Sequence, residues 1–130
     1  EKLRKIIQKF KKKDIRTSLF INPNIKDIKI ANEIGADCIE IHTGNFANLV
    51  KFKKSFSKEL KKIKRCSILA KKLGLEVHAG HGLDYKTTKL LTSIKEIEEF
   101  NIGHFIVGES IFFGLTKVIR KFKKIIKGKK

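Results

Sequence analysis

The sequence predicts an α/β fold made of four strand–helix units behind a leading helix, and three observations predict it. Short apolar runs alternate along the chain with longer segments of helical periodicity. Glycines stand where helical segments stop, at Gly35 and Gly74, and where strand-like runs end, at Gly44, Gly80 and Gly108. Polar residues of catalytic type, Glu40, His42, His78, His81 and His104, fall in or just after the apolar runs and on none of the expected helix faces. Strands alternating with helices imply right-handed crossovers and a parallel sheet buried on both faces.

Each element has its own signal. Residues 2–12 place Leu3, Ile6, Ile7 and Phe10 at the i, i+3, i+4, i+7 spacing of an amphipathic helix. Residues 17–21 form a short apolar strand, after which Asn22 suits an N-cap and Pro23 the first helical position. Ile25, Ile28, Ala31 and Ile34 give the next helix its apolar face, and Gly35 ends it. Residues 38–42 are a second strand ending in Thr43-Gly44, followed by a long loop and a helix over about 57–73. Residues 75–79 are a third strand, ending in Gly80-His81-Gly82, and a helical stretch follows over about 85–91. Ser93-Ile94-Lys95-Glu96 has the form of a capping box for a further short turn of helix. Residues 102–107 read as the fourth strand, ending at Gly108, and the last helix carries Leu115, Val118, Ile119, Phe122, Ile125 and Ile126 on one face.

The chain has 130 residues, one domain by length. Four such units with a leading helix are half of a TIM (β/α)₈ barrel, whose whole needs about 250 residues. The expectation is a single partial domain over residues 1–130, the C-terminal half of such a barrel. The periodicity alone also fits a small open doubly wound sheet. The chain begins at Glu1 and holds no Met, from which a start inside a longer protein is expected.

Lys and Arg number 31 against 13 Asp and Glu, a net charge of +18. That balance raises nucleic acid or an acidic membrane as partner. The lysines instead spread over helix after helix, with runs at residues 11–13, 51–54 and 127–130, as AT-rich coding and solvated faces produce. The final run is expected to fray. The one Tyr and ten Phe fall largely on core stripes, not in a stacking platform interleaved with Arg, which argues against a specific nucleic-acid partner. No run of 18 apolar residues is present to span a membrane. Cys38 and Cys66 form no C-x-x-C and suit buried free thiols in a reducing cytosol.

Five residues stand out as chemistry. Glu40 lies between Ile39 and Ile41, and a buried carboxylate needs a partner, either a structural ion pair or a substrate. His42 shares its parity, so it points to the same side or merely caps the strand. His78 and His81 are three apart and with Glu40 or His42 mimic a zinc set, but alternation sends the two in different directions. Gly80-His81-Gly82 is the sharper signal: flanking glycines let the backbone approach a ligand, and a histidine there exchanges protons near neutral pH. The alternative is a tight turn with an incidental histidine. Gly103-His104 and Gly108 frame the last strand, where barrel loops bind phosphate through backbone N–H groups, although Gly103 equally suits a packing glycine.

Ser18-Leu19-Phe20-Ile21, Ile39-Glu40-Ile41-His42-Thr43-Gly44, Ala79-Gly80-His81-Gly82-Leu83 and Asn101-Ile102-Gly103-His104 together resemble successive strand signatures of the pyridoxine 5′-phosphate synthase family. A lone Gly-His-Gly is common, whereas four motifs in this order and spacing are specific, and the likeness runs over essentially the whole chain. The resemblance implies barrel strands 5 to 8. It implies vitamin B6 biosynthesis in the cytoplasm, by condensation of 3-amino-2-oxopropyl phosphate with 1-deoxy-D-xylulose 5-phosphate to pyridoxine 5′-phosphate, phosphate and water. No metal or organic cofactor is implied, and full-length members assemble as homo-octamers. His81 matches the family's proton donor and Glu40 its transition-state stabiliser, while Gly82, Gly103 and His104 match positions that bind the aminoketone phosphate. The two general bases of the family, a His and a Glu, come from earlier strands, so this chain alone is expected to be inactive. Rival readings are a non-catalytic remnant or other phosphate-binding barrel, and a basic nucleic-acid-binding module.

Overall fold

A computed structural model describes residues 1–128 of the chain; the expected fraying of Lys129 and Lys130 lies outside the described residues. Helix α1 (Lys2–Lys11) leads into β1 (Ser18–Ile21), α2 (Ile25–Glu33), β2 (Cys38–His42), α3 (Gly44–Lys51) and α4 (Ser57–Lys72). Then come β3 (Glu76–Gly80), α5 (Tyr85–Leu91), β4 (Glu99–Asn101), α6 (His104–Phe113) and α7 (Leu115–Lys127). The four strands pair in chain order and all parallel, and every crossover carries at least one helix. This is an α/β fold compatible with part of a (β/α) barrel.

Alternation along the strands separates two faces. Leu19, Ile39 and Val77 stand in register on one face, as do Ile21, Ile41 and Ala79. They share a core with Ile28 and Ala31 of α2 and Ile63, Cys66 and Ala70 of α4. Each fully buried Ile or Val there contributes about 1.5–3 kcal/mol. The opposite face carries Phe20, Glu40, His78 and Glu99 in one row and His42, Gly80 and Asn101 in the next. It is not buried in the way expected of a doubly covered sheet: Phe20 is 55% exposed and Glu40 and His42 are partly open.

Four local expectations are corrected. Asn24, not Asn22, caps α2, its side chain accepting from Lys26 N at 2.9 Å; Pro23 sits before the helix in a bend closed by Asn24 N donating to Asn22 O. The loop expected after Gly44 is largely α3, whose Phe46, Ala47 and Val50 are buried. Residues 93–96 make a turn rather than a capped helix, because the Ser93 hydroxyl donates back to Leu90 O at 2.8 Å instead of capping forward. The largest change is at the fourth strand. It covers Glu99–Asn101, and the apolar run from His104 onward is helix α6. Short apolar runs do not distinguish strand from helix by period. Here Gly103 stands at the N-cap of a helix, so His104 lies in its first turn and Gly108 in its middle rather than in a loop. The remaining elements keep their expected places, and Cys38 and Cys66 are both buried and free. Burial pushes the Cys66 thiol above its ordinary pKa.

Candidate functional site

At the C-terminal ends of the strands lies a cavity of about 900 Å³. Its lining includes Glu40, His81, Gly82, Gly103 and His104, so the five residues that the resemblance matches to catalytic or substrate-binding positions meet there, while His42 and His78 do not line it. Three segments distant in the chain bring them: β2, the loop after β3, and the start of α6.

Glu40 is seated from two sides. Asn101 Nδ2, on β4, donates to Glu40 Oε2 at 2.8 Å. Between them lies Gly80, where an added Cβ would stand 2.0 Å from Glu40 Oε1. The carboxylate therefore rests on a bare stretch of β3, one oxygen held by an amide. Its partner is thus a neutral donor and not the structural ion pair that was the alternative reading.

His81 is held against its own preference. It has φ +79°, in the left-handed region that disfavours a side chain. Buried Thr43 pins it: Thr43 N and Oγ1 both donate to Gly80 O, at 2.8 and 2.7 Å, and the same hydroxyl lies 2.8 Å from His81 O. Gly82 follows with φ +76°, packed against Ala47. The His81 ring stacks on His42, with centroids 4.7 Å apart and planes 29° apart, and the Phe20 ring meets His42 edge-on at 5.1 Å. His42 therefore points to the same side as Glu40. Its pKa is held below the ordinary value by burial and then by the neighbouring His81, against an opposite pull from Glu40.

Gly103 and His104 present the N-terminus of α6 to the cavity. No side chain caps this helix, and the donors of a first turn have no partner within the helix. Such an end attracts phosphate or carboxylate through N–H groups and dipole. A Cβ at Gly103 would meet nothing within 4 Å, which removes the packing reading of this glycine. Gly108 does not line the cavity.

His78 belongs elsewhere. Its Nε2 lies 2.8 Å from Glu76 Oε1 and its Nδ1 3.4 Å from Glu99 Oε1, and Arg16 pairs with Glu76. Hydrogen bonding to His78 holds the Glu76 carboxyl below its usual value, and Arg16 adds to the effect. Among the described residues no group of three or more His, Cys, Asp or Glu side chains is placed to hold a metal ion. Sequence reasoning gave no role to Asn101, Thr43, Gly44 or Lys51, of which Asn101 and Lys51 also line the cavity. Asn101 had a signal, a polar residue closing the last strand motif, whereas Lys51 stood in a run of lysines that hid it. No described helix is long and apolar enough to cross a membrane.

A family model described as pyridoxal phosphate biosynthesis protein PdxJ matches residues 1–128. A Pelagibacter ubique protein named pyridoxine 5′-phosphate synthase is 63% identical over 125 residues, which cover 96% of this chain and 52% of that protein. Proteins of the same name from a Sulfurihydrogenibium species and from Geobacter sp. strain M21 are each 46% identical, over 95% and 98% of this chain and 50% and 53% of their own lengths. The chain spans about half the length of the curated relatives it matches.

Proposed function

The chain belongs to the family described as pyridoxal phosphate biosynthesis protein PdxJ, and from that premise we propose that it supplies the C-terminal half of a pyridoxine 5′-phosphate synthase. The observation that carries the reading is the convergence of Glu40, His81, Gly82, Gly103 and His104 on one cavity. In this reading the N-terminus of α6, at Gly103 and His104, holds the phosphate of 3-amino-2-oxopropyl phosphate, and Gly82 lets the backbone approach it. His81 donates a proton to oxygen leaving the condensing substrates. Glu40, fixed by Asn101, faces the cationic nitrogen of imine-type intermediates and stabilises positive charge as it develops. The second substrate is 1-deoxy-D-xylulose 5-phosphate, held largely by the other half of the barrel.

Residues 1–130 are then one partial domain. β1 and β4 are the sheet's outer strands, and the polar face of the sheet looks into the closed barrel once the complementary half pairs with them. The general bases come from that half, and the assembled protein is a cytoplasmic homo-oligomer.

The test is formation of pyridoxine 5′-phosphate from the two phosphorylated substrates, by this chain alone and with the N-terminal half of the Pelagibacter ubique relative supplied as a second polypeptide. Product from the pair only, lost on His81→Ala, supports the proposal. A folded pair that makes no product refutes it.

A further inference from the structure

We propose that His42 is a working part of the site: with His81 it forms a stacked pair that holds a single proton, His42 being the ring that stays neutral and His81 the ring that presents the proton to the cavity. The inference deepens the function proposed above and rests on it for the role of His81.

The geometry carries the first half. The ring centroids are 4.7 Å apart with planes 29° apart. Two imidazolium rings at that distance repel, so the pair takes up one proton far more readily than two. The stack is also built rather than incidental. At Gly44 an added Cβ would stand 2.8 Å from His42 Cε1 and 2.8 Å from His81 Cδ2, so a side chain there would push the rings out of their present stack. His81 keeps its left-handed backbone because Thr43 holds it there, and a strained conformation persists only where its surroundings over-determine it.

The surroundings decide which ring is neutral. His81 lines the cavity, whereas His42 does not and is overlaid by His81 and edged by Phe20. From β1 His42 meets the apolar Phe20 ring, and from α3 it meets Gly44. The charged group acting on it from its own strand is Glu40, whose pull is outweighed by burial and by His81. Around the cavity His81 shares its space with Glu40, with Lys51 of α3, with Asp84 at the N-cap of α5 and with His104 of α6. His42 thus acts through its neighbour as a positioning residue: it fixes the plane of the His81 ring and keeps a second charge out of the site.

The experiment is an NMR titration of the histidine Cε1–H resonances of this chain, as wild type and as His81→Asn. His42 is expected to titrate below the ordinary value of 6.5 and to move up toward it when His81 is replaced. A His42 midpoint at or above that value, or one indifferent to His81→Asn, overturns the pairing. In the two-polypeptide synthase assay, His42→Phe keeps a flat ring in the stack and removes its titration. Its kcat should show an altered acid limb of the pH profile with KM within twofold; a wild-type profile overturns the positioning role. If the wild-type pair makes no product while His42 titrates as stated, the proposed synthase function fails and the histidine pair stands.

Discussion

Gly80→Ala tests whether Glu40 has a built seat. Gly80 stands in register between His42 and Asn101, so an added methyl group enters the polar face. Its carbon would lie 2.0 Å from Glu40 Oε1, 2.9 Å from Cδ and 3.1 Å from Asn101 Cβ. Carbon and oxygen settle no closer than about 3.3 Å even in favourable contacts, so the carboxylate must retreat by about 1.3 Å. Rotation of the Glu40 side chain supplies that retreat and breaks the hydrogen bond from Asn101. A hydrogen bond to a charged group contributes about 1.5–3 kcal/mol, and partial exposure here brings it to about 1 kcal/mol. Crowding against Asn101, a single approach of 3.1 Å, adds about 0.5 kcal/mol, below the usual overpacking cost of about 1–3 kcal/mol. Against both, alanine restricts the unfolded chain and returns about 0.4–1 kcal/mol.

Gly80→Ala is therefore expected to lower stability by about 1 kcal/mol. In a Glu40→Ala background, where nothing opposes the methyl group but Asn101, the same change should be neutral or slightly stabilising. Urea unfolding of the wild type, both single variants and the double variant gives the coupling, expected at about 1 kcal/mol or more. A coupling below about 0.3 kcal/mol would refute the seat. In the synthase assay Gly80→Ala should lose about 100-fold in kcat, because a reacting group misplaced by about 1 Å costs that much.

Other consequences follow from single residues. His81→Gly should be more stable than His81→Ala by about 1 kcal/mol in urea unfolding, since only glycine relaxes at φ +79°, while neither should give product in the proposed two-polypeptide assay. Asn101→Asp keeps the shape and replaces the donor by an oxygen facing Glu40; a loss of about 1 kcal/mol at neutral pH is expected, and an unchanged unfolding midpoint would show that the amide donates nothing. Asp37 is held below its ordinary pKa first by the Thr17 backbone N–H, 2.7 Å from its Oδ2. A carboxylate lowered on folding stabilises above its unfolded pKa and loses that contribution as pH falls through the folded value, so Asp37→Asn should flatten the acid side of a melting series. Cys66, buried and raised, should react with an aromatic disulfide reagent only as fast as the chain opens.

Why some of this was readable in advance, and some not, has a physical basis. β2 and β3 sit where expected because their apolar residues alternate with few polar ones, and Gly35 and Gly74 end helices at φ +85° as a C-terminal glycine does. α3 was hidden because Thr43-Gly44 resembles a loop and the segment that follows is short. Its helix is set by tertiary burial of Phe46, Ala47 and Val50, and not by any cap. α6 was hidden for the opposite reason. Its run of Phe, Ile and Val promises a buried strand, yet none of its ten residues is buried and Phe112 is 81% exposed.

The catalytic-type residues were readable for a reason that the misplaced fourth strand brings out. His104 meets the cavity from a helix and not from a strand, and still arrives at the expected place. A parallel strand delivers whatever follows it to the same end of the sheet, so the shift of β4 to residues 99–101 changed the element and not the destination. What sequence cannot convey is contact between segments. That Glu40 rests on Gly80 depends on the Glu40↔His78 register, and that His42 stacks on His81 depends on Gly44 lying under both rings. A slip of one residue between β2 and β3 would turn Glu40 into the apolar core and dismantle both arrangements together. The alternating core residues Ile39, Ile41, Val77 and Ala79 therefore do more than hold the sheet: by fixing that register they fix the distances in the site.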